Sequence, residues 1–495
     1  MAAHGAGGRR VLVIGADGLR PDLLDTGLMP AVGSLIASGV RCVDHHAVFP
    51  SHTRVIASTL ATGTTPGRHG IVANTMLVPH ATEDHIIDTS NYRHLDALDA
   101  YSSGNAQLAP SLADILAERG ERVAVAATST GGASLLWARN HRGRIVNVNT
   151  AYGIADLYDL REKLGEIPPV GWPQIARAEY ATRAVTDLLL HDPANRVIVL
   201  WLNEPDASLH KYGLGAPETR EAMRGVDHCL AAILTEMDAQ GVRDDVAIFF
   251  VSDHGHSTVE SHSTLRDYLA IARRELGAAS LPPLTTASDY IYATPGTPEP
   301  SAEELAPLVE WLVHQEWCDI VFAGREDLEL LPGVLSLRQV WNGASNERRP
   351  LLAVSPVWSD EPNEHGVPGA VATLTAQSAL RSSHGSASPF DMHATLVASG
   401  PSFREGTVST LPTGATDIMP TILTLLGLTV PTAIDGRVLW EALRDARGEP
   451  GNAGAETLEP LVPLRGATPR VRLQRVGATT YVDGSVGRRS GAQTL

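Results

Sequence analysis

Residues 246–256 read VAIFFVSDHGH: six consecutive apolar residues, then Ser252, Asp253, His254, Gly255 and His256. A run this short, apolar throughout and rich in β-branched and aromatic side chains, fits a strand buried on both faces, as in a parallel sheet covered by helices. The polar turn behind it places an Asp and a His at the strand's carboxyl end, where open α/β sheets bind their ligands. The pattern recurs along the chain. Val11–Gly15 is followed by Asp17, and Val197–Leu202 by NEPDASLHKYG, with Asp206 and His210 four apart. Val123–Ala127 and Ala394–Ala398 complete the set of apolar runs, the last preceded by SSHGSASPFDMH with His384. Between the runs lie helix patterns at Ala31–Ser38, Pro110–Arg119, Gln174–Leu190, Arg220–Gln240 and Asp417–Leu426. This alternation predicts an α/β fold with a mostly parallel central sheet sandwiched by helices.

Two stretches interrupt it. Residues 74–108 are polar, His- and Asp-rich and without a strong period, which predicts a loop-rich excursion. Residues 266–380 carry their own prolines (Pro282-Pro283, Pro295, Pro298, Pro300) and a helix pattern at Ser301–Glu316, which predicts an inserted cap subdomain. The expected organisation is a flexible tail over 1–10, a catalytic core over 11–265 and 381–446, the cap over 266–380, and a C-terminal tail over 447–495 with one hairpin near Val471–Val482.

Composition bounds the partners. The chain has 495 residues with 56 acidic against 39 basic side chains, a formal charge of −17. An acidic surface repels a phosphate backbone, so a nucleic-acid polymer is excluded as the main ligand. The bases are nearly all Arg, Lys163 and Lys211 being the lysines, so no Lys-rich patch addresses a membrane surface. No stretch approaches the ~20 apolar residues of a membrane helix. Cys42, Cys229 and Cys318 are odd in number and far apart, with no C-x-x-C. That usage predicts buried free thiols and a cytoplasmic location.

The strand ends carry the chemistry. Asp and His are hard and borderline ligands suited to zinc or a similar divalent ion. Asp206 and His210 at i, i+4 share a helix face, while adjacent Asp253 and His254 reach one ion only in a turn, which Gly255 permits. A single Asp-His pair is ordinarily surface polarity; the clustering at successive strand ends is the signal. Thr53, in HHAVFPSHTRVIASTLATGTTPGRHGIVAN (residues 45–74), stands just before a small-residue helix pattern at Val55–Ala61, in the position of an N-cap. A helix N-terminus favours a bound phosphate, and a Thr hydroxyl becomes a nucleophile when a base or metal activates it. Arg54, His52 and His256 are candidate substrate contacts, Trp201 a core residue and His45–His46 an incidental pair.

With these motifs in order, the chain resembles the alkaline phosphatase superfamily, and within it the type I phosphodiesterase/nucleotide pyrophosphatase family. IGADGLRPDLL, TGTTPGRHGIVAN, NEPDASLHKYG, VSDHGH, HGSASPFDMHATLVASGP and TDIMPTILTLLGLTVPTAIDGRVL carry the resemblance from Val11 to about Leu443. It implies two Zn2+, or other divalent metals, one held by Asp206, His210 and His384 and the other by Asp17, Asp253, His254 and the nucleophile Thr53. It also implies that Asn74, in HGIVAN, contacts the phosphoryl oxygen. The family's spacings back from Gly63 and His69 both point to Thr53, whereas matching Phe49–Ser51 to the family's FPN breaks the spacing to HGI. Ser51 is the lesser candidate nucleophile. Family members often carry Asn three residues after the nucleophile, where this chain has Ile56. The implied activity is hydrolysis of a small phosphate ester, a nucleotide among the candidates, through a phospho-threonine intermediate. A phosphomonoesterase, a phosphonate hydrolase or a silent metal binder are the alternatives, and oligomeric state stays open.

Overall fold

The computed structural model describes residues 10–138, 144–149, 157–375, 379–464 and 468–486. The expected N-terminal tail lies outside them apart from Arg10, which opens the first strand. Across the central nine-stranded sheet the order is Thr407–Ser409, Gly39–His46, His393–Ser399, Val246–Val251, Arg10–Ala16, Asn195–Leu202, Arg122–Ala127 and Arg144–Asn147, with Thr413–Gly414 also on Gly39–His46. Arg10–Ala16 lies parallel between Asn195–Leu202 and Val246–Val251, Val11 pairing with Val197 and Ala247. His393–Ser399 alone in the sheet runs antiparallel to both its neighbours. Its first residues therefore sit at the edge where the other strands end, which is why His384 precedes its strand while Asp17, Asp206 and Asp253 follow theirs.

Alternate side chains of each buried strand enter different cores. Val11 and Val13 pack with Val55, Leu60, Leu112, Leu135 and Ile418 on one face. Leu12 and Ile14 pack with Val32, Ala181, Met223 and Leu230 on the other. Helices Thr53–Thr62, Leu112–Ala117, Gly131–Trp137 and Ile418–Leu425 cover the first face; Pro30–Ala37, Ile175–Ala184 and Pro217–Ala239 cover the second. The predicted sandwich is what the chain forms. Of the expected helix at 174–190, the last turns (Val185–Leu189) are π-helical.

The excursion after Asn74 is more ordered than its composition predicts. It holds a short hairpin, Thr75–Leu77 with Ile86–Asp88, and a helix, Tyr92–Tyr101, whose first turn is capped by the Asn91 side chain. Within 266–380, five strands form a separate sheet in the order Leu284–Ala287, Tyr290–Ala293, Leu352–Pro356, Cys318–Ala323, Val334–Ser336. One face of that sheet packs on helices Leu265–Leu276 and Ala302–Val313 through Leu269, Leu305, Leu308 and Val321. The other puts Tyr290, Phe322 and Leu335 into the main core. Strands Trp358–Pro362 and Pro368–Thr373 leave this unit and join Ser257–His262 and Ser382–Ser383 in a four-stranded sheet, which spans both sides of the boundaries drawn at 265 and 381.

Past residue 447 the chain forms a three-stranded antiparallel sheet, Ala453–Leu458, Val471–Val476 and Thr479–Ser485, one strand more than the single hairpin expected. Leu458, Val471, Leu473 and Val482 reach the main core. Ser485 N donates to Ala387 O at 2.7 Å, and Trp358 Nε1 donates to Ser485 Oγ at 2.7 Å. Asp417 ties this sheet to the rest: its carboxylate accepts from Gly414 N, Arg437 N and the Tyr481 hydroxyl. Asp417→Ala leaves three donors without an acceptor, two of them on buried residues, and is expected to cost about 3 kcal/mol or more in chemical denaturation. Tyr481→Phe, which removes the bond to Asp417 and the one the hydroxyl accepts from Arg437 Nε, should cost less, about 1–2 kcal/mol, because Arg437 keeps its other partners.

Candidate active site

Three strand ends meet over the sheet. Asp17 follows its strand directly; its N–H donates to Leu202 O and its carbonyl accepts from Asp206 N, so two loops are stitched together beside the carboxylate. Asp17 Oδ2 accepts from the Trp201 indole at 3.0 Å, giving that buried core residue a polar task too. Asp253 Oδ1 accepts from Gly18 N at 3.1 Å. Gly18 has φ +70°, and a Cβ there would lie 2.8 Å from the His256 ring, so both conformation and space demand glycine. The remaining oxygens, Asp17 Oδ1 and Asp253 Oδ2, are buried and accept no well-formed hydrogen bond. Both face His254 Nε2, at 3.5 and 3.2 Å.

Thr53 is the first residue of helix Thr53–Thr62, and the N-cap position falls to His52, whose side chain makes no capping bond. The hydroxyl is thereby released from capping, and Thr53 Oγ1 sits 3.1 Å from His254 Nε2. Asn74 Oδ1 accepts from Arg54 N at 3.2 Å, which fastens the helix start to the HGIVAN segment and leaves the Asn74 amide hydrogens free of that contact. Ile56 is fully buried in the core, so the position where relatives often carry Asn is here a packing position. Ser51 Oγ donates to Ser386 O and accepts from Gly385 N, so this hydroxyl joins the nucleophile loop to the His384 loop instead of facing the cluster.

Backbone carbonyls set the tautomers of three histidines. Nδ1 donates to Ser382 O in His210, to Gly255 O in His254 and to Ser51 O in His384. In the neutral ring Nε2 is then the lone-pair atom, as in metal-ligating imidazoles. His210 Nε2 lies 3.3 Å and His384 Nε2 3.7 Å from Asp206 Oδ1. With metal–ligand bonds of about 2.0–2.1 Å, two donors on one tetrahedral ion stand ~3.3–3.4 Å apart. The separations around Asp206 and around His254 fall near that value.

The structure thus brings Asp17, Thr53, Asp253 and His254 together, and Asp206, His210 and His384 beside them, with Asn74 at the helix start. His256 joins them. Sequence suggests only a substrate contact for it, yet its Nε2 lies 2.7 Å from Asp206 Oδ1 and its Nδ1 is buried without a partner. It groups with Asp206, His254 and His384 as a set whose donors lie within 4.8 Å of one another. The signal was in the sequence: a second His two residues past His254, at the same strand end. His52 approaches through its ring, accepting from Asn74 N at 3.4 Å.

The electrostatics of the cluster favour positive charge. Burial, then the Asp253 and Asp206 carboxylates, push the Asp17 carboxyl well above its ordinary range. Burial opposes charge on His254, but Asp253 and Asp17 outweigh it and carry its pKa up to about 10. Burial would also raise Asp206, but the pull of His210 and the hydrogen bond from His256 hold it well below the usual carboxylate range. Two buried carboxylates and the half-buried Asp206, with two orphaned oxygens and histidine Nε2 atoms turned among them, are a donor set that divalent ions fit. Arg54 adds positive charge close to Asp88, Asp17, Asp206 and Asp253, and its Nε is buried without a hydrogen bond.

A mostly parallel central sheet covered by helices on both faces, with Asp and His gathered at successive strand ends, is the alkaline-phosphatase-like class of fold. Residues 11–313 match the sequence model of the family described as type I phosphodiesterase / nucleotide pyrophosphatase. The chain belongs to that family. It is 24% identical over 291 residues to a bis(5'-adenosyl)-triphosphatase of Mus musculus, covering 58% of this chain and 55% of that one. It is 23% identical over 257 residues to a venom phosphodiesterase of Crotalus durissus collilineatus, covering 50% and 26%. The chain thus spans about half, or less, of the length of these curated relatives. The structure of murine ectonucleotide pyrophosphatase / phosphodiesterase 5, an inactive variant in complex with AMP, shares the fold with a TM-score of 0.61, at 20% identity over 88% of this chain and 100% of that one.

Proposed function

We propose that the chain is a two-metal phosphodiesterase of the nucleotide pyrophosphatase type, with Thr53 as nucleophile and a small phosphate ester, such as a nucleotide, as substrate. The observation that carries this reading is Thr53 Oγ1 at a helix N-terminus, 3.1 Å from His254 Nε2 and beside two unpartnered buried carboxylate oxygens. Asp206, His210 and His384 would hold one zinc ion, and Asp17, Asp253, His254 and Thr53 the other. Bound there, the two ions supply an acidified hydroxyl, neutralisation of the leaving oxygen and an activated water.

Thr53 Oγ1 gives up its proton and attacks phosphorus in line; the bond from phosphorus to the leaving oxygen breaks, and the phosphoryl group rests on Thr53 until water hydrolyses it. The amide of Asn74 and the first turn of the helix stabilise the equatorial oxygens. Arg54, with its unpartnered Nε, contacts a second phosphate. The similarity to a murine bis(5'-adenosyl)-triphosphatase and to a murine structure in complex with AMP supports a nucleotide as substrate. A cytoplasmic location belongs to the same proposal: Cys42, Cys229 and Cys318 are all buried, and Cys42 and Cys229 are free thiols.

The test is a paired assay with the zinc-loaded protein. Bis-p-nitrophenyl phosphate is expected to turn over faster than p-nitrophenyl phosphate. Monoester preference would move the reading to a phosphomonoesterase on the same residues, and no turnover with metal bound would make the chain a silent binder.

A further inference from the structure

A second group of ligand-type side chains stands outside the active-site cluster. Asp44 and His46 lie two apart on strand Gly39–His46, hence on one face. His393, which opens the neighbouring strand, is in register with His46. Asp483 comes from the C-terminal sheet, on strand Thr479–Ser485. One donor atom from each of these four residues lies within 4.8 Å of the others.

We propose that Asp44, His46, His393 and Asp483 form a structural site for a single divalent cation, zinc by ligand type, that staples the C-terminal sheet to the central one. The closest donor separations are 3.2 Å (His46 Nε2 to Asp44 Oδ1), 3.5 Å (His46 Nε2 to Asp483 Oδ1) and 3.0 Å (His393 Nε2 to Asp483 Oδ1). They bracket the ~3.3–3.4 Å edge of a tetrahedral zinc site. His46 is fully buried, and its Nδ1 donates to Thr413 O at 2.9 Å, which fixes the tautomer that leaves Nε2 as a lone pair facing two carboxylates. That is the outer-sphere arrangement by which proteins orient a ligating imidazole. Arg472 Nε lies 3.1 Å from Asp483 Oδ2, so Oδ1 is the oxygen presented to the ion. Two imidazoles and two carboxylates fill four positions, the closed coordination of a structural site, and leave none for substrate. The His393 side chain is 35% exposed, so an ion can enter from solvent.

Metal is to be counted by mass spectrometry on the full-length protein after zinc loading and desalting, in wild type, Asp483→Asn and His393→Gln. The expected result is one equivalent of zinc fewer in each variant, with diester hydrolysis by His393→Gln unchanged. Added zinc should raise the melting temperature of metal-stripped wild type by more than that of stripped His393→Gln, because one ligand set is intact only in the former. His393 is the most exposed of the four, so His393→Gln folds even if Asp483→Asn does not. Equal zinc content in wild type and His393→Gln, with equal melting shifts, would overturn the proposal and leave His46 as a protonated bridge between Asp44 and Asp483.

Discussion

Thr53→Ala is expected to abolish diester hydrolysis, by on the order of 10^4- to 10^6-fold in kcat, the scale on which loss of a hydrolase nucleophile is felt. No neighbouring group can replace it. Ser51, the nearest other hydroxyl in the loop, is committed to Ser386 O and Gly385 N. The structure should survive, because Thr53 makes no capping bond and Ile56 N still reaches His52 O. Zinc content within one equivalent of wild type and an unchanged melting temperature would show that chemistry alone was lost. Turnover near wild type in that folded, metal-loaded variant would sink Thr53 as nucleophile. Thr53→Ser, which keeps the oxygen, should retain a measurable part of the rate.

Asp206→Asn is the second large effect. Asp206 Oδ1 lies within 3.7 Å of three histidine Nε2 atoms, those of His210, His256 and His384, so it is the shared anionic partner of that half of the site. An amide keeps the shape and removes the charge. A metal's charge stabilisation is worth several kcal/mol, and at about 1.4 kcal/mol per decade its loss corresponds to roughly 10^3-fold in turnover. The variant should also bind one zinc fewer, and dialysis of wild type against a chelator should remove activity that zinc restores. A full metal complement with full activity in Asp206→Asn would rule out Asp206 as a ligand.

The parts of this molecule that sequence makes legible are those whose burial is two-sided. Strands such as Val246–Val251 have both faces covered, so every residue is apolar and the Asp or His that ends the run stands out. Gly39–His46 was invisible for the opposite reason. It mixes buried and open positions without a regular period and carries Arg41, Asp44, His45 and His46, because it sits near the sheet edge and its polar residues find partners from distant segments. His45–His46, an incidental pair by sequence, has both rings hydrogen-bonded to Thr413. The C-terminal sheet escaped likewise: Ala453–Leu458 is exposed along nearly its whole length, and only pairing makes it a strand. Thr53 was placed at the N-cap by residue preference, whereas chain geometry starts the helix one residue earlier. His256 was visible as a residue but not as a neighbour of Asp206, because that contact is made across 50 residues.

The bond from Ser485 N to Ala387 O has a bearing on how the protein is made. Ala387 lies three residues past His384, and on its other side its N–H is held by Ser355 Oγ. Asp17 leaves the ribosome early, but the segment carrying His384 gains its outer backbone partner only when the strand ending at Ser485 has been synthesised. Domains fold as units during synthesis, N-terminal parts first, so the centre forms in stages and closes late. A nascent chain interrupted before that strand carries every candidate ligand of the active site and lacks the strand that backs the last of them. Completion of the site thus waits on synthesis of the strand that ends at Ser485.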